Sequence, residues 1–139
     1  MLKLGTIFPL LAIPFGLYMA LTAASGGDAW LSSSALYLPM PSGRSMTLTS
    51  GDIFTLVSLT LLFVEIVKAV YTGAQGIINH GLSVLVLVVC CIMFSTSLNY
   101  TTVPFLLLTM MALLDVVAGV AISIIAARRD IGTGTAQHL

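Results

Sequence analysis

The chain has 139 residues, of which 58% are hydrophobic and only 7% are charged, and its five basic and five acidic residues cancel. About 25% of the residues of an ordinary soluble domain are charged, so the composition excludes that class. The balanced charge also excludes a basic surface for nucleic acid. With a mean hydropathy of +1.11, the chain is predicted to be an all-α membrane protein whose surroundings are the lipid bilayer.

The first apolar run covers residues 4–25 and follows Lys3. It is long enough to cross a bilayer, which takes about 20 residues. Pro9 and Pro14 interrupt the run and predict a kink, because proline lacks a backbone N–H. A signal peptide has similar ingredients, but its apolar part is only about 7–15 residues long. We therefore expect a retained first span and take cleavage as the less favoured alternative.

Residues 26–50 form a longer polar loop. Apolar and polar residues alternate on both sides of the sequence PSGR, which predicts a short β-hairpin in this loop. Trp30 and Tyr37 are of the residue types found at lipid headgroups and are predicted as interface aromatics. We favour a surface connector over a lid or a partner-docking flap. Asp52 follows the loop and is predicted as the N-cap or first-turn acid of the next helix.

Three further apolar runs predict three more spans, so that a single domain of residues 1–139 forms a four-transmembrane-helix bundle. These spans are residues 52–72, 82–98 and 103–127. A glycine-containing inner loop, residues 73–81, is predicted between the second and third spans. The tail, residues 128–139, is expected to be disordered.

The basic residues predict the orientation of the bundle. Lys3, Lys68, Arg128 and Arg129 lie at or point toward one face, whereas Arg44 alone lies at the other. Because basic residues accumulate on the cytoplasmic side, both termini are predicted to be cytoplasmic and the hairpin loop extracytoplasmic. Arg128 and Arg129 are then cytoplasmic anchors.

Three charged residues fall inside the predicted spans, namely Glu65, Lys68 and Asp115. Each costs about 2.5–3.5 kcal/mol near the bilayer centre and should therefore face protein. Helical rise places Asp115 about 20 Å and Glu65 about 12 Å from the inner surface. We predict an intramembrane polar cluster in which Lys68 pairs with one carboxylate and the other carboxyl is protonated. Alternatively, Lys68 reaches the inner headgroups and the cluster consists of the two acids.

Two roles for this cluster stay open. Polar contacts between helices stabilise membrane bundles by about 0.6 kcal/mol on average, and we favour this structural role. The alternative is proton or cation handling, because intramembrane acids often mark ion pathways. His80, at the cytoplasmic mouth of the third span, is a proton-titrating candidate, although a capping or interface role is favoured.

Other chemistry is weakly indicated. Cys90 and Cys91 are adjacent in an apolar run and are interpreted as small packing residues rather than a redox pair. His80 and His138 alone provide neither a convincing zinc site nor haem ligands. No nucleophile with its base and no phosphate-binding glycine loop is visible. We therefore predict a protein that is not an enzyme and has no metal and no cofactor.

The segments VEIVKA, NHGLS, LLDVVAG and AARRD resemble a group of small, uncharacterised four-helix inner-membrane proteins of proteobacteria. The resemblance covers most of the chain from Pro41 onward and carries no established activity. It implies a location in the bacterial inner membrane. It also directs attention to six charged or titratable residues within these segments, namely Glu65, Lys68, His80, Asp115, Arg128 and Arg129.

The leading hypothesis is a small polytopic inner-membrane protein that serves as a structural or accessory subunit of a membrane complex or forms a homo-oligomer. The alternative is a small proton- or cation-coupled transporter or channel that uses Glu65 and Asp115, with Lys68 as the internal counter-charge.

Overall fold

A computed structural model describes residues 8–72 and 76–134 of the chain. In this part of the chain, four α-helices and one two-stranded sheet make up the fold. They are α1 (Ala12–Ser25), β1 (Ser34–Pro39), β2 (Ser45–Thr49), α2 (Ser50–Thr72), α3 (Gly76–Thr96) and α4 (Val103–Gly134). Short 3-10 helices at Ala29–Ser32 and Leu98–Tyr100 complete the connections.

Three of these helices are long and apolar enough to cross a membrane, namely Ser50–Tyr71, Ile78–Thr96 and Val103–Ile125. Helix α1 is apolar but has only 14 residues. At 1.5 Å per residue it is about 21 Å long, shorter than a hydrocarbon core of about 30 Å. The prediction of four helices is thus confirmed, while a spanning length is shown for three of them.

The first helix begins later than the sequence suggested. The predicted span was residues 4–25, but residues 1–7 lie outside the described part and residues 9–11 form a turn that leads into Ala12. Pro14 lies in the first turn of α1, where a missing N–H removes no helical hydrogen bond. Instead of the predicted kink, Pro14 marks the start of a helix. Gly26 ends α1 with φ 70° and donates its N–H to Thr22, a left-handed cap that suits glycine.

The predicted hairpin is present. Strands β1 and β2 pair antiparallel, with Tyr37 opposite Thr47 and Leu38 opposite Met46. Gly43 lies in the turn with φ 79°, a conformation that glycine adopts without steric cost. Tyr37 is 64% exposed on β1, so the described residues leave it free to contact a headgroup.

Strand β2 continues directly into helix α2. Asp52, in the first turn of α2, accepts hydrogen bonds from the N–H and the hydroxyl of Thr49, at 2.9 and 2.8 Å. The N–H of Asp52 in turn donates to Thr49 Oγ1 at 3.2 Å. This reciprocal arrangement is a capping box, and it gives Asp52 the structural role that the sequence predicts.

Two predicted connections are helical instead. Helix α3 begins at Gly76, inside the predicted inner loop of residues 73–81, and α4 continues to Gly134, inside the predicted disordered tail. Asn79 does not form a turn because its side chain bonds to α2 rather than to the local backbone. The alanine and arginine residues after Ile125 are strong helix formers, which favours the extension of α4. Residues 73–75 and 135–139 lie outside the described part.

At the hairpin end, an aromatic cluster holds the elements together. Tyr18 of α1 is fully buried, with ring centroids 5.4 Å from Trp30, 5.5 Å from Phe54 and 4.9 Å from Phe105. Trp30, predicted to lie at the headgroups, is half-buried in this cluster, and its Nε1–H donates to Thr22 Oγ1 at 3.2 Å. Tilted and edge-to-face pairs of this kind stabilise beyond their buried area.

Candidate functional site

At the end of the bundle opposite the hairpin, Glu65 of α2 is completely buried, with 0% exposure. The backbone N–H of Leu10 and Lys68 Nζ donate to its Oε2 at 2.9 and 3.0 Å, and Asn79 Nδ2 donates to its Oε1. These donors come from the segment before α1, from α2 itself and from α3. Glu65 is therefore the point at which three parts of the chain are tied together.

Lys68 lies one turn after Glu65 and neutralises it. Its Nζ forms the ion pair with Glu65 and also donates to the carbonyl oxygen of Phe8 at 2.9 Å, while its side chain is 16% exposed. Of the two acids that the sequence offers as partners for Lys68, the structure pairs it with Glu65. The Glu65–Lys68 pair carries no net charge, which reduces the cost of its burial.

Asp115 of α4 is 2% exposed but is not held in this way. Among the described residues, its Oδ2 has no hydrogen-bond partner. Glu65, Lys68 and His80 lie within electrostatic range of its carboxyl group, and Ser83 lies close to it. Ser83 Oγ and Asp115 Oδ2 have no hydrogen-bond partner among the described residues, although the Ser83 side chain lies within hydrogen-bonding reach of the carboxyl group of Asp115. The structure thus brings the three predicted charged residues into one region, with Asp115 outside the ion pair.

His80 lies at the edge of the same region. Its ring packs against Gly119, one turn after Asp115, so closely that a Cβ at Gly119 would lie 2.2 Å from His80 Nδ1. His80 also lines a groove of about 330 Å³ together with Val120, Ser123, Ile124 and Ala127. His80 therefore lies between this groove and the interior, near the start of α3 at Gly76.

Four buried polar atoms in this region have no hydrogen-bond partner among the described residues. They are Asn79 Oδ1, His80 Nδ1, Ser83 Oγ and Asp115 Oδ2. An unpaired buried polar group costs about 1–3 kcal/mol. Such a concentration is typical of a site that holds a water, an ion or a transferable proton.

The sequence pattern did not single out Asn79 or Ser83 as part of this site. Both lie on one face of α3, four residues apart. A helix drawn back to Gly76 would have placed them beside His80 and opposite Asp115. A correct prediction of the start of α3 at Gly76 would therefore have revealed these two residues.

Other described parts of the molecule show fewer features of a functional site. A groove of about 750 Å³ lies between the hairpin and the starts of α2 and α4, but its lining includes none of the four unpartnered atoms. Of the two acids that line it, Asp52 is bonded to Thr49 and Asp28 is exposed. Cys90 is buried and Cys91 exposed, and both are free thiols.

Within the described residues, no group of three or more His, Cys, Asp or Glu side chains is placed to hold a metal ion. Arg128 is exposed near the end of α4, and the side chain of Arg129 lies outside the described part.

Comparison of the chain with models of protein families, with curated proteins and with solved structures finds no match. Its function is therefore argued from its own residues.

Proposed function

We propose that this protein is a small polytopic membrane protein that takes up and releases one positive charge, a proton or a monovalent cation, at Asp115. The observation that carries the proposal is the buried Asp115 carboxyl group, whose Oδ2 has no partner among the described residues. We therefore favour the alternative hypothesis of the sequence analysis, a small proton- or cation-coupled transporter or channel, over a purely structural role of the cluster.

The charge balance of the site supports this choice. Glu65 and Lys68 neutralise each other at 3.0 Å, and His80, the other basic side chain near the carboxyl group of Asp115, forms no ion pair with it in the described part of the chain. An ionised Asp115 would therefore be buried without an ion-pair partner. An isolated charge is too costly to bury in an apolar interior. Asp115 must then hold a proton or stand next to a cation, and exchange between these states moves a positive charge.

The two acids therefore take different roles. Glu65 accepts three hydrogen bonds and is a fixed structural carboxylate. Asp115 is the exchangeable group. His80 and the groove beside it form the route to the water at that end of the bundle, because the groove lies next to the interior cluster. We infer from the distribution of basic residues that this end faces the cytoplasm. The bacterial inner membrane is proposed as the location because the sequence resembles small inner-membrane proteins of proteobacteria.

The test is cation flux into liposomes that contain the purified full chain. An imposed gradient of protons, Na⁺ or K⁺ should drive a flux that Asp115→Asn abolishes while the folded state persists. Asp28→Asn is the matched control, because Asp28 is an exposed acid near the hairpin, and its flux should equal that of the wild type. Absence of flux for all three ions, or an unchanged flux in Asp115→Asn, would reject the proposal.

A second candidate is an accessory subunit or homo-oligomer. Helix α3 favours it, since only 17% of its Ile78–Thr96 stretch is buried, compared with 39% for α4. Lipid or another protein must cover the rest. Purification from native membranes in a mild detergent, followed by mass measurement, distinguishes the two: a stoichiometric companion supports the accessory role, and a lone monomer contradicts it.

A further inference from the structure

Three of the buried atoms without a hydrogen-bond partner are oxygens, and their side chains are buried to the same extent. Asn79 Oδ1, Ser83 Oγ and Asp115 Oδ2 belong to side chains that are each 2% exposed, and none has a hydrogen-bond partner among the described residues. Asn79 and Ser83 lie one turn apart on α3, and Ser83 lies close to Asp115 on α4. A carboxylate, a hydroxyl and an amide oxygen are thus available at one helix interface.

Most of the neighbouring polar groups are already bonded. Asn79 Nδ2 donates to Glu65, which orients the amide and leaves Oδ1 free. Lys68 Nζ bonds to Glu65 and to the carbonyl of Phe8 rather than to Asp115. The ring of His80 packs against Gly119, although its Nδ1 has no hydrogen-bond partner among the described residues. Three oxygens remain, together with an Asp115 carboxyl group that has no ion-pair partner in the described part of the chain.

This donor set selects a class of ligand. Oxygen ligands suit hard cations, whereas transition metals prefer nitrogen and sulfur ligands. Divalent hard cations are usually bound by more than one carboxylate, and here Glu65 is neutralised by Lys68. A single net negative charge among neutral oxygens matches a monovalent metal cation.

We propose that Asn79 Oδ1, Ser83 Oγ and Asp115 Oδ2 bind a monovalent metal cation between α3 and α4. The inference rests on the proposed function and names the transferred charge as a metal ion rather than a proton. Because the ligands come from two helices, the bound cation stabilises their interface.

The experiment measures the thermal unfolding of the purified full chain in detergent. NaCl or KCl replaces choline chloride at constant ionic strength, so that nonspecific screening is held constant. Na⁺ or K⁺ should raise the unfolding midpoint with a saturable dependence on concentration, because a ligand that binds only the folded state stabilises it.

Ser83→Ala removes one neutral ligand, and the concentration of cation for half-maximal stabilisation should rise at least about tenfold, the equivalent of one lost hydrogen bond to a charged group. Ser95→Ala is the matched control. Ser95 is exposed on the same helix and bonds to the carbonyl of Cys91, so its cation dependence should equal that of the wild type.

A midpoint that does not respond to either cation, or an identical response in Ser83→Ala and wild type, would overturn the inference. The proposed function fails separately. A proton flux that requires Asp115 but no metal cation would retain the function and reject the metal site, whereas the absence of any flux would reject the function.

Discussion

The two ends of the bundle bury polar side chains to a similar extent but treat them differently. At the hairpin end, Tyr18 is 0% exposed and its hydroxyl bonds to Thr102 Oγ1 at 2.7 Å. At the opposite end, Asp115 is 2% exposed, yet its Oδ2 has no partner within the described chain. Packed aromatic rings with satisfied hydroxyls stabilise a fold. Unpaired buried polar atoms reduce the stability of the fold, and they are tolerated where a bound ligand supplies the missing partner.

The largest effect is expected where the polar end is well bonded. Glu65→Ala leaves the Leu10 N–H and Asn79 Nδ2 without their acceptor. Lys68 loses its ion-pair partner and keeps its bond to the carbonyl oxygen of Phe8. Removing one partner of a buried ion pair destabilises by about 3–5 kcal/mol. Thermal or denaturant unfolding in detergent measures this. Thr60→Ala, an exposed change in the same helix, should stay within about 0.5 kcal/mol of the wild type. Equal stability of Glu65→Ala and wild type would show that Glu65 does not tie the helices together.

A smaller loss is expected at Gly119. An alanine Cβ there would lie 2.2 Å from His80 Nδ1, so the ring must move and the free energy of unfolding should fall by about 1–3 kcal/mol. Gly81→Ala is the control on the facing helix, because no atom lies within 4 Å of a Cβ at that position. It should be neutral or stabilise by up to about 1 kcal/mol. Equal effects of the two substitutions on the free energy of unfolding would show that His80 does not pack against Gly119 between α3 and α4.

The hairpin end should respond less to the loss of a single hydroxyl. Tyr18→Phe keeps the aromatic packing but removes the bonds of the hydroxyl to Thr102 Oγ1 and to the carbonyl oxygen of Asn99, at a cost of about 1 kcal/mol. Thr102 Oγ1 still accepts a hydrogen bond from the N–H of Phe105. Tyr71→Phe, at a tyrosine that is 85% exposed, should change the unfolding midpoint little. A loss in Tyr18→Phe as large as in Glu65→Ala would contradict the view that packing dominates at this end.

The smallest effect on stability is expected at Asp115. Asp115→Asn removes no hydrogen bond of Oδ2 and no ion pair of the described residues. Under the proposed function, Asp115 holds a proton in a medium without metal cations and is already neutral. The free energy of unfolding should therefore change by less than about 1 kcal/mol when asparagine, a side chain of nearly the same shape, replaces it. Destabilisation comparable to that of Glu65→Ala would make Asp115 structural and would erase the difference between the two acids.

Much of the fold could be predicted from local patterns. Apolar runs indicated the helices, alternation indicated the hairpin, and Asp52 after a polar loop indicated a helix start. The length of α1 could not be predicted, because proline is tolerated both inside membrane spans and in the first turn of a helix. The sequence alone does not separate these two cases.

The site was predicted only in outline. Charges within apolar runs marked Glu65, Lys68 and Asp115, but the acid that pairs with Lys68 was left open. The three-residue spacing of Glu65 and Lys68 on one helix favours the pair that forms. Asn79 near glycines is typical of a turn, and it becomes part of a helix face through its bond to Glu65, fourteen residues earlier. Trp30 lies in the aromatic cluster because Tyr18 and Phe54 approach it from two other helices.

The junction of β2 and α2 has a mechanical consequence. The strand ends at Thr49 and the helix begins at Ser50, with the capping box closing the step between them. No flexible linker separates the hairpin from the helix, so β2 and the start of α2 are expected to move together. Glu65 lies fifteen residues farther along α2, about 22 Å from the junction. A torque applied to the hairpin by a partner or by the bilayer surface is therefore transmitted to the charged end of the bundle.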